Sequence, residues 1–89
     1  MKITFEPKAA EDITWWTKNN MRIIARIWKL ITLTCRTPYE GEGKPEPLKY
    51  HLSGSWSRQI EKEHRLVYRV DEERDELIIL SCRGHYSGL

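Results

Sequence analysis

The chain has 89 residues, of which 39% are hydrophobic, and its 15 Lys and Arg residues against 13 Asp and Glu give a net charge of +2. That length allows one small domain, and no apolar run approaches the roughly 20 residues of a membrane-spanning helix. The first residues lack the apolar stretch of a secretory signal, and two cysteines 47 positions apart fit neither a disulfide scaffold nor a zinc ribbon. We therefore expect a single cytoplasmic domain over residues 1–89, with 87–89 as a short tail.

Two helices are predicted after a short N-terminal strand at 3–5. Pro7 suits the first turn of a helix, where its missing N–H costs nothing, and Asn19-Asn20 can end this helix and cap the next. The second helix is predicted over 21–35, because adjoining apolar rows give it a broad face for packing. The rows on the first helix and then the second are Ala9, Ile13 and Trp16; Ile24, Trp28, Ile31 and Cys35; and Ile23, Ile27 and Leu30.

The polar face of the second helix carries Arg22, Arg26 and Lys29 at helical spacing. These side chains could contact an RNA backbone or an acidic partner. A solvated face is the more common reason for such a row of charges. The row alone therefore decides neither alternative.

Residues 36–47 are predicted to form a long loop, because three prolines and two glycines in twelve positions exclude a continuous helix or a central strand. Ordered loops of this length are usually functional. Pro45 and Pro47 flank Glu46 and stiffen the backbone on both sides. We expect the loop to present the Glu46 carboxylate in a fixed direction.

The second half of the chain predicts strands at 48–52, 55–60, 65–70 and 77–82, separated by short turns. Short turns favour an antiparallel meander, and the two helices must then cover one of its faces. The predicted fold class is α+β, with two N-terminal helices packed on an antiparallel β-sheet. In the strand at 65–70, alternation directs Leu66, Tyr68 and Val70 to the helices and leaves Arg65 and Arg69 on the open face.

The charge is distributed unevenly. Residues 21–60 carry seven Lys and Arg against three Glu, whereas residues 71–76 alone contribute −4. If 71–76 form a solvated turn far from the working face, that face is cationic and attracts phosphate-bearing partners. Mixed charged surfaces are common in small proteins, so charge by itself leaves the partner open.

Glu, His, Lys and Arg on one open face suit cleavage of RNA by its own 2′-hydroxyl. One group must take the 2′-OH proton, another must protonate the leaving 5′-oxygen, and cations must stabilise the charge on the phosphoryl oxygens. Neither a Ser or Cys nucleophile nor a cofactor is needed, and no His, Cys or Asp spacing matches a metal site. Single Glu and His residues occur in most sequences, so this set permits the mechanism without specifying it.

Several of these side chains have structural alternatives. Arg65 could pair with a glutamate of the adjoining turn, Glu61 or Glu63, which would contribute little stability. His64 could lie at a strand edge rather than in a site. Trp56 is expected in the core, although it could also stack on a nucleobase.

Four blocks, 43–49 (GKPEPLK), 52–58 (LSGSWSR), 63–68 (EHRLVY) and 82–86 (CRGHY), together resemble the YoeB/Txe toxins of the RelE superfamily. The resemblance spans residues 1–86. It implies a ribosome-dependent mRNA endonuclease that acts in the ribosomal A site. It also implies a RelE-like fold similar to microbial ribonucleases.

The resemblance assigns roles to residues in these blocks. Glu46 is implied as the general base, His85 as the general acid and Arg65 as the cation at the transition state. Lys49 and Tyr86 are similar to the family's substrate-positioning residues, and the charge and placement of Lys44, Arg58 and Arg83 suggest further RNA contacts. The implied partners are the 70S ribosome with mRNA, a YefM-like antitoxin and a second copy of the toxin, with neither a metal nor a cofactor.

Gly84, directly before His85, adds backbone freedom at a position that needs fixed geometry. The chain departs from the family pattern at two places: Gln59 stands where many relatives carry a second arginine, and residues 87–89 extend beyond the usual His-Tyr end. These differences favour an alternative in which a catalytically weakened toxin binds and regulates its antitoxin. A gyrase-poisoning relative is a third possibility that predicts DNA damage, and retention of Glu46 and His85 argues against it.

Overall fold

The computed structural model describes residues 1–85, so the predicted roles of Tyr86 and the tail 87–89 fall outside the described residues. Five strands, two α-helices and one 3₁₀ helix make up the described chain. In chain order they are β1 Lys2–Phe5, α1 Pro7–Asn19, α2 Met21–Arg36, β2 Glu46–Pro47, the 3₁₀ helix Tyr50–Leu52, β3 Trp56–Glu61, β4 His64–Asp71 and β5 Glu76–Ser81.

The helices begin and end where the sequence predicts. Pro7 occupies the first turn of α1, and the Asn20 side chain caps α2 by accepting a hydrogen bond from the Arg22 N–H at 3.2 Å. The Asn20 N–H also donates to the Trp16 carbonyl at 2.8 Å, which closes the end of α1. Neither helix, nor any other in residues 1–85, has the length and apolar character needed to cross a membrane.

The sheet has the strand order β1-β5-β4-β3-β2. β3 to β5 form the predicted antiparallel meander. The two residues of β2, which were predicted as loop, pair antiparallel with β3, and β1 adds a parallel edge by pairing with β5. The sheet is therefore mixed, because the helical pair returns the chain so that β1 and β5 run the same way. The predicted α+β class is confirmed, with both helices on one face.

The core lies between the helices and that face of the sheet. Trp16, Ile27 and Leu30 meet Leu66, Tyr68 and further apolar side chains of β4 and β5 there. The predicted α2 stripe is rotated slightly in the structure. Trp28 is 45% exposed and packs its ring against the edge of β1 at Phe5, with centroids 5.8 Å apart. The fully buried row consists of Ile27, Leu30, Ile31 and Thr34.

The predicted strand at 48–52 is wrong. The chain pairs with β3 only at Glu46–Pro47 and then turns through the 3₁₀ helix Tyr50–Leu52. The N–H groups of Leu52 and Ser53 bond the carbonyls three residues earlier, and Tyr50 adopts a φ of +57°. These local bonds replace a ladder with β3, so the apolar residues Leu48 and Leu52 anchor a turn rather than one face of a strand.

Candidate active site

A cavity of about 200 Å³ lies on the open face of the sheet, beside β2, β3 and the start of β4. Its lining comes from the loop before β2, from β2 itself and from the two adjoining strands. The lining residues, which define the candidate cavity, are Gly43, Lys44, Glu46, Ser57, Gln59 and Arg65. Three of the residues predicted from sequence as site residues are therefore brought together: Lys44, Glu46 and Arg65.

Strand register explains why Glu46 and Arg65 share the candidate cavity. Glu46 pairs with Ser57, and Gln59, two positions further along β3, pairs with Arg65. Cross-strand partners and residues two apart project from the same face of a sheet. The carboxylate and the guanidinium therefore lie on the face opposite the helices, as alternation in the sequence predicts for Arg65. The Arg65 Nη1 atom is buried there and has no hydrogen-bond partner.

Residues 37–45, hereafter the site loop, contain Lys44 and lead into β2 with Glu46. Arg58 holds this loop from the helix side of the sheet. The Arg58 side chain is fully buried, and its guanidinium donates to the carbonyl oxygens of Thr37, Glu40 and Glu42. Its Nε also donates to the Tyr68 hydroxyl, which itself donates to the Pro38 carbonyl at 2.6 Å. Burial raises the pKa of Tyr68, so this hydroxyl keeps its proton and remains a donor.

The assignment of Arg58 as an RNA contact is therefore corrected. Its guanidinium lies on the helix side of the sheet, where it is hydrogen-bonded to carbonyl oxygens of the site loop. It therefore cannot reach a phosphate on the open face. The sequence did contain the signal, because Arg58 has the same parity in β3 as Trp56 and Ile60, which pack in or against the core. A charged residue on an apolar face must find buried acceptors, and the site loop supplies them.

Gly43 brings the site loop into contact with β3. Its carbonyl accepts a hydrogen bond from the Gln59 N–H at 2.7 Å, and its φ is +89°. A Cβ at this position would lie 3.2 Å from the Arg58 Cβ and 3.3 Å from the Gln59 carbonyl oxygen. Glycine is needed here for both reasons, and the contact fixes where the chain enters β2 with Glu46.

A second loop anchor is an ion-pair cluster around Glu42. Arg26 and Lys29 of α2 both pair with its carboxylate, and these contacts lower the pKa of Glu42, with the Arg26 hydrogen bond as the largest cause. Arg26 also donates to the carbonyls of Gln59 and Ile60 at the end of β3, each at 3.2 Å. Arg26 and Lys29 therefore bind the site loop to α2. The charge pattern on α2 did not reveal this role.

The segment that carries His85, residues 82–85 and hereafter the C-terminal segment, is fixed from two sides. On the α1 side, the Asp12 carboxylate accepts from the Cys82 N–H at 2.9 Å and Trp16 Nε1 donates to the Cys82 carbonyl at 2.8 Å. On the β4 side, the Arg65 N–H donates to the Gly84 carbonyl at 3.0 Å, and the Gly84 N–H donates to His64 Nδ1 at 2.7 Å. Four hydrogen bonds thus hold the backbone up to the residue before His85.

Asp12, Trp16 and His64 are positioning residues that were not identified from the sequence. Asp12 is only 2% exposed, although it is charged. One signal was present, because Asp12 lies between Ala9 and Trp16 on the apolar face of α1, where a carboxylate needs a partner. The partner of both Asp12 and Trp16 is the backbone of Cys82, which lies 70 positions after Asp12 and 66 after Trp16. The pattern of α1 could not identify so distant a partner.

His85 itself is exposed, and the residues lining the candidate cavity do not include it. Its position is set by Gly84, whose φ of +75° turns the chain immediately after the bonds to Arg65 and His64. The backbone of His85 therefore starts beside the first residues of β4. Arg65 belongs to that same stretch, with its side chain in the candidate cavity.

Two further predicted site residues lie outside the candidate cavity. Lys49 lines a neighbouring cavity of about 480 Å³ formed by residues 46–52, which shares Glu46 with the first. Arg83 lies against α1, where its guanidinium carbon is 4.5 Å from the centre of the Trp15 ring and its Nε is 3.8 Å from Asp12. Lys49 thus adjoins the candidate cavity, whereas the Arg83 side chain packs against α1.

The acidic run 71–76 ends β4, turns and begins β5, and the four turn residues Glu72, Glu73, Arg74 and Asp75 are exposed. Arg65 is the second residue of β4 and Asp71 is the last, so at about 3.3 Å per residue the turn lies roughly 20 Å from the site. That separation exceeds the screening length at physiological salt. The field at the candidate cavity is therefore set by the charged residues that line it, Lys44, Glu46 and Arg65, and not by the turn. Within residues 1–85 no group of three or more His, Cys, Asp and Glu side chains could hold a metal ion.

Comparison with known proteins gives concordant matches. Residues 5–86 match the family described as a YoeB-like toxin of bacterial type II toxin-antitoxin system. The toxin YoeB of Escherichia coli strain K12 is 50% identical over 86 residues, which cover 97% of this chain and 100% of that protein. The structure of a YoeB/ParE toxin from Agrobacterium tumefaciens has a TM-score of 0.92 at 42% identity, covering 97% of this chain and 100% of the other.

YoeB of Staphylococcus aureus is similar in two solved states. In its complex with YefM the TM-score is 0.85 at 44% identity, and as a dimer it is 0.87 at 42% identity. Both comparisons cover 97% of this chain and 98% of the other. These matches confirm the resemblance carried by the four sequence blocks.

Proposed function

This chain belongs to the YoeB-like toxins of bacterial type II toxin–antitoxin systems, and on that basis we propose that it is an endoribonuclease that cleaves mRNA in the ribosomal A site. The observation that carries the proposal is the shared cavity of Glu46 and Arg65. A carboxylate and a guanidinium that is partly unpaired are the groups required to activate a hydroxyl beside a phosphate and to stabilise the resulting charge.

In the proposed reaction, Glu46 takes the proton of the 2′-hydroxyl, whose oxygen attacks the adjacent phosphorus. The bond from phosphorus to the 5′-oxygen of the next nucleotide breaks, and His85 donates a proton to that oxygen. The products are a 2′,3′-cyclic phosphate and a free 5′-hydroxyl. Arg65 binds the phosphoryl oxygens as their negative charge increases, and Lys44 and Lys49 contribute positive charge on either side of Glu46.

His85 acts in this scheme from outside the lining of the candidate cavity. The four hydrogen bonds of the C-terminal segment hold its backbone beside the start of β4. The scheme requires the imidazole to reach the leaving 5′-oxygen of a nucleotide seated against Arg65, on the side opposite Glu46. Tyr86 is proposed, from the family resemblance alone, to position the substrate.

We also propose a YefM-like antitoxin and a second toxin copy as partners, because Staphylococcus aureus YoeB is described in both assemblies. An acidic antitoxin segment that occupies the open face would cover Lys44 and Arg65 and exclude RNA. The other proposed partners are the 70S ribosome and its message.

The test is primer extension on a message translated by purified ribosomes, with the chain added alone. We expect cuts within the A-site codon for the wild type and loss of cutting by at least about 100-fold in Glu46→Gln and Arg65→Met. Glu40→Gln is the matched control, because Glu40 is an exposed carboxylate of the same loop outside the candidate cavity. Wild-type protein that binds a YefM-like antitoxin and leaves the message intact would instead support the weakened, antitoxin-binding alternative.

A further inference from the structure

Two buried side-chain atoms in residues 1–85 have no hydrogen-bond partner, and both line the candidate cavity. They are Ser57 Oγ and Arg65 Nη1. Buried polar groups in folded proteins are nearly always paired, because an unpaired one has lost its water without replacement. Two such atoms in one cavity indicate that a polar ligand completes them.

Ser57 lies at the floor of this cavity and is 1% exposed. It pairs directly with Glu46 across β2 and β3, and it pairs with Val67 across β3 and β4. Arg65, two positions before Val67, is therefore its diagonal neighbour on the same face. Diagonal neighbours lie about 7–8 Å apart at Cα, a distance that an arginine side chain spans. The Ser57 hydroxyl thus lies beside the carboxylate and within the range of the guanidinium.

The chemistry of these two atoms selects an anion with several oxygens. A guanidinium nitrogen can only donate, so its partner must be an acceptor, and a hydroxyl next to it can donate to the same group. The Glu46 carboxylate is not bonded to Ser57 in the structure. A tetrahedral phosphate offers enough oxygens to accept from both donors at once, and the nearby Lys44 favours its negative charge.

We propose that Ser57 is a further substrate-binding residue, which donates its hydroxyl proton to a non-bridging oxygen of the scissile phosphate while Arg65 binds the same phosphate. The identity of that phosphate as part of mRNA rests on the proposed function. The phosphate-binding role of Ser57 rests on the buried, unpaired atoms alone. Because this donor is fixed before substrate arrives, it orients the phosphorus toward the 2′-oxygen that Glu46 activates.

The test separates phosphate binding from cleavage. Inorganic phosphate is titrated into the full chain while the amide of Ser57 and the Nε–H of Arg65 are followed by ¹H–¹⁵N NMR. We expect saturable shifts at both groups in the wild type and about tenfold weaker binding in Ser57→Ala and Ser57→Cys. The cysteine variant keeps the volume of the side chain and loses the strong donor. Ser55→Ala, which removes another buried hydroxyl outside the candidate cavity, should bind phosphate like the wild type.

Cleavage kinetics give the second readout. In ribosome-dependent cleavage, Ser57→Cys should lower the rate about tenfold and leave the pH profile unchanged, because the groups that move protons are intact. Phosphate binding that is absent, or that both Ser57 variants retain in full, would overturn the proposal. A shifted pH profile with unchanged phosphate affinity would also overturn it, since Ser57 would then act on Glu46. Phosphate binding through Ser57 in a protein that cuts no message would uphold the site and refute the proposed function.

Discussion

The backbone N–H of Arg65 donates a hydrogen bond of 3.0 Å to the backbone carbonyl of Gly84. This bond joins the start of β4, which carries the proposed cation, to the residue directly before His85. Gly84 then donates its own N–H to His64 Nδ1, one residue before Arg65. The proposed cation and the proposed acid are therefore linked through hydrogen bonds of the backbone. A displacement of the C-terminal segment must change the positions of both Arg65 and His85.

Gly84→Ala tests this link. At a φ of +75° an alanine is strained, although its Cβ would meet nothing within 4 Å. We expect the free energy of unfolding to fall by about 1 kcal/mol. We expect the cleavage rate to fall by about 10- to 100-fold, because relaxation of that strain moves His85 away from the position in which it can protonate the leaving 5′-oxygen. Urea denaturation and ribosome-dependent primer extension measure the two effects.

The control for that change is Gly54→Ala. Gly54 has a φ of +94° and equally open surroundings, but it lies in the turn before β3. It should lose similar stability and keep wild-type cleavage. If both variants lost cleavage to the same degree, strain anywhere in the fold would explain the effect, and the link from Arg65 to His85 would be disproved.

Arg58→Met is predicted to destabilise the fold rather than to remove an RNA contact. It keeps much of the side-chain volume and leaves the carbonyls of Thr37, Glu40 and Glu42 without their donor. We expect a loss of about 3 kcal/mol in the free energy of unfolding. Arg69→Met, at an exposed position of β4, should stay within about 0.5 kcal/mol of the wild type.

The same pair of variants distinguishes the two roles considered for Arg58. A Met variant with wild-type stability in urea and defective cleavage would restore Arg58 as an RNA contact. A destabilised Met variant whose cleavage recovers at lower temperature, where more of it is folded, would agree with the anchoring role.

Cys82 is predicted to be unreactive in the folded protein. Burial, and secondarily the charge of Asp12, raises the pKa of its thiol to about 12, so almost none is thiolate at about pH 8.5, where a free cysteine is half ionised. Iodoacetamide should therefore modify Cys82 only after unfolding in urea, while the less buried Cys35 reacts first. Peptide mass spectrometry after timed quenching gives both rates. Equal rates for Cys82 in folded and unfolded protein would contradict its burial.

Glu42 should make stability depend on acid pH. Hydrogen bonds from Arg26 and Lys29 lower its pKa from the ordinary 4.5. A group with a lowered folded-state pKa stabilises the fold above its unfolded value, and that contribution is lost as pH falls through the folded value. Glu42→Gln should thus be less stable than the wild type at neutral pH and show a shallower loss on acidification.

Urea midpoints measured from about pH 7 to about pH 2.5 would follow this loss. Glu40→Gln, an exposed neighbour in the site loop, should retain the wild-type slope. Parallel curves for Glu42→Gln and the wild type would show that the Arg26–Glu42–Lys29 cluster contributes nothing to the fold.

Much of the fold could be predicted because it depends on local periodicity. The helices followed from a 3.6-residue spacing with Pro7 and Asn20 at their ends, and β3 to β5 followed from alternation between short turns. The 48–52 segment was mispredicted, since a few apolar residues beside prolines fit a strand and a 3₁₀ turn equally well. There the local bonds of Lys49 and Tyr50 carbonyls, rather than composition, chose the turn.

The sequence by itself determined the family, through its four blocks, and the face of the sheet on which Arg65 lies, through strand parity. Only the tertiary structure decided that Arg58 supports the site loop from the helix side, that Asp12, Trp16 and His64 hold the C-terminal segment, and that Ser57 lies unpaired beside Glu46. The physical reason is that a charge or a hydroxyl has the same identity on either side of a sheet. Its role depends on which donors and acceptors, distant along the chain, are brought to it when the sheet and helices close.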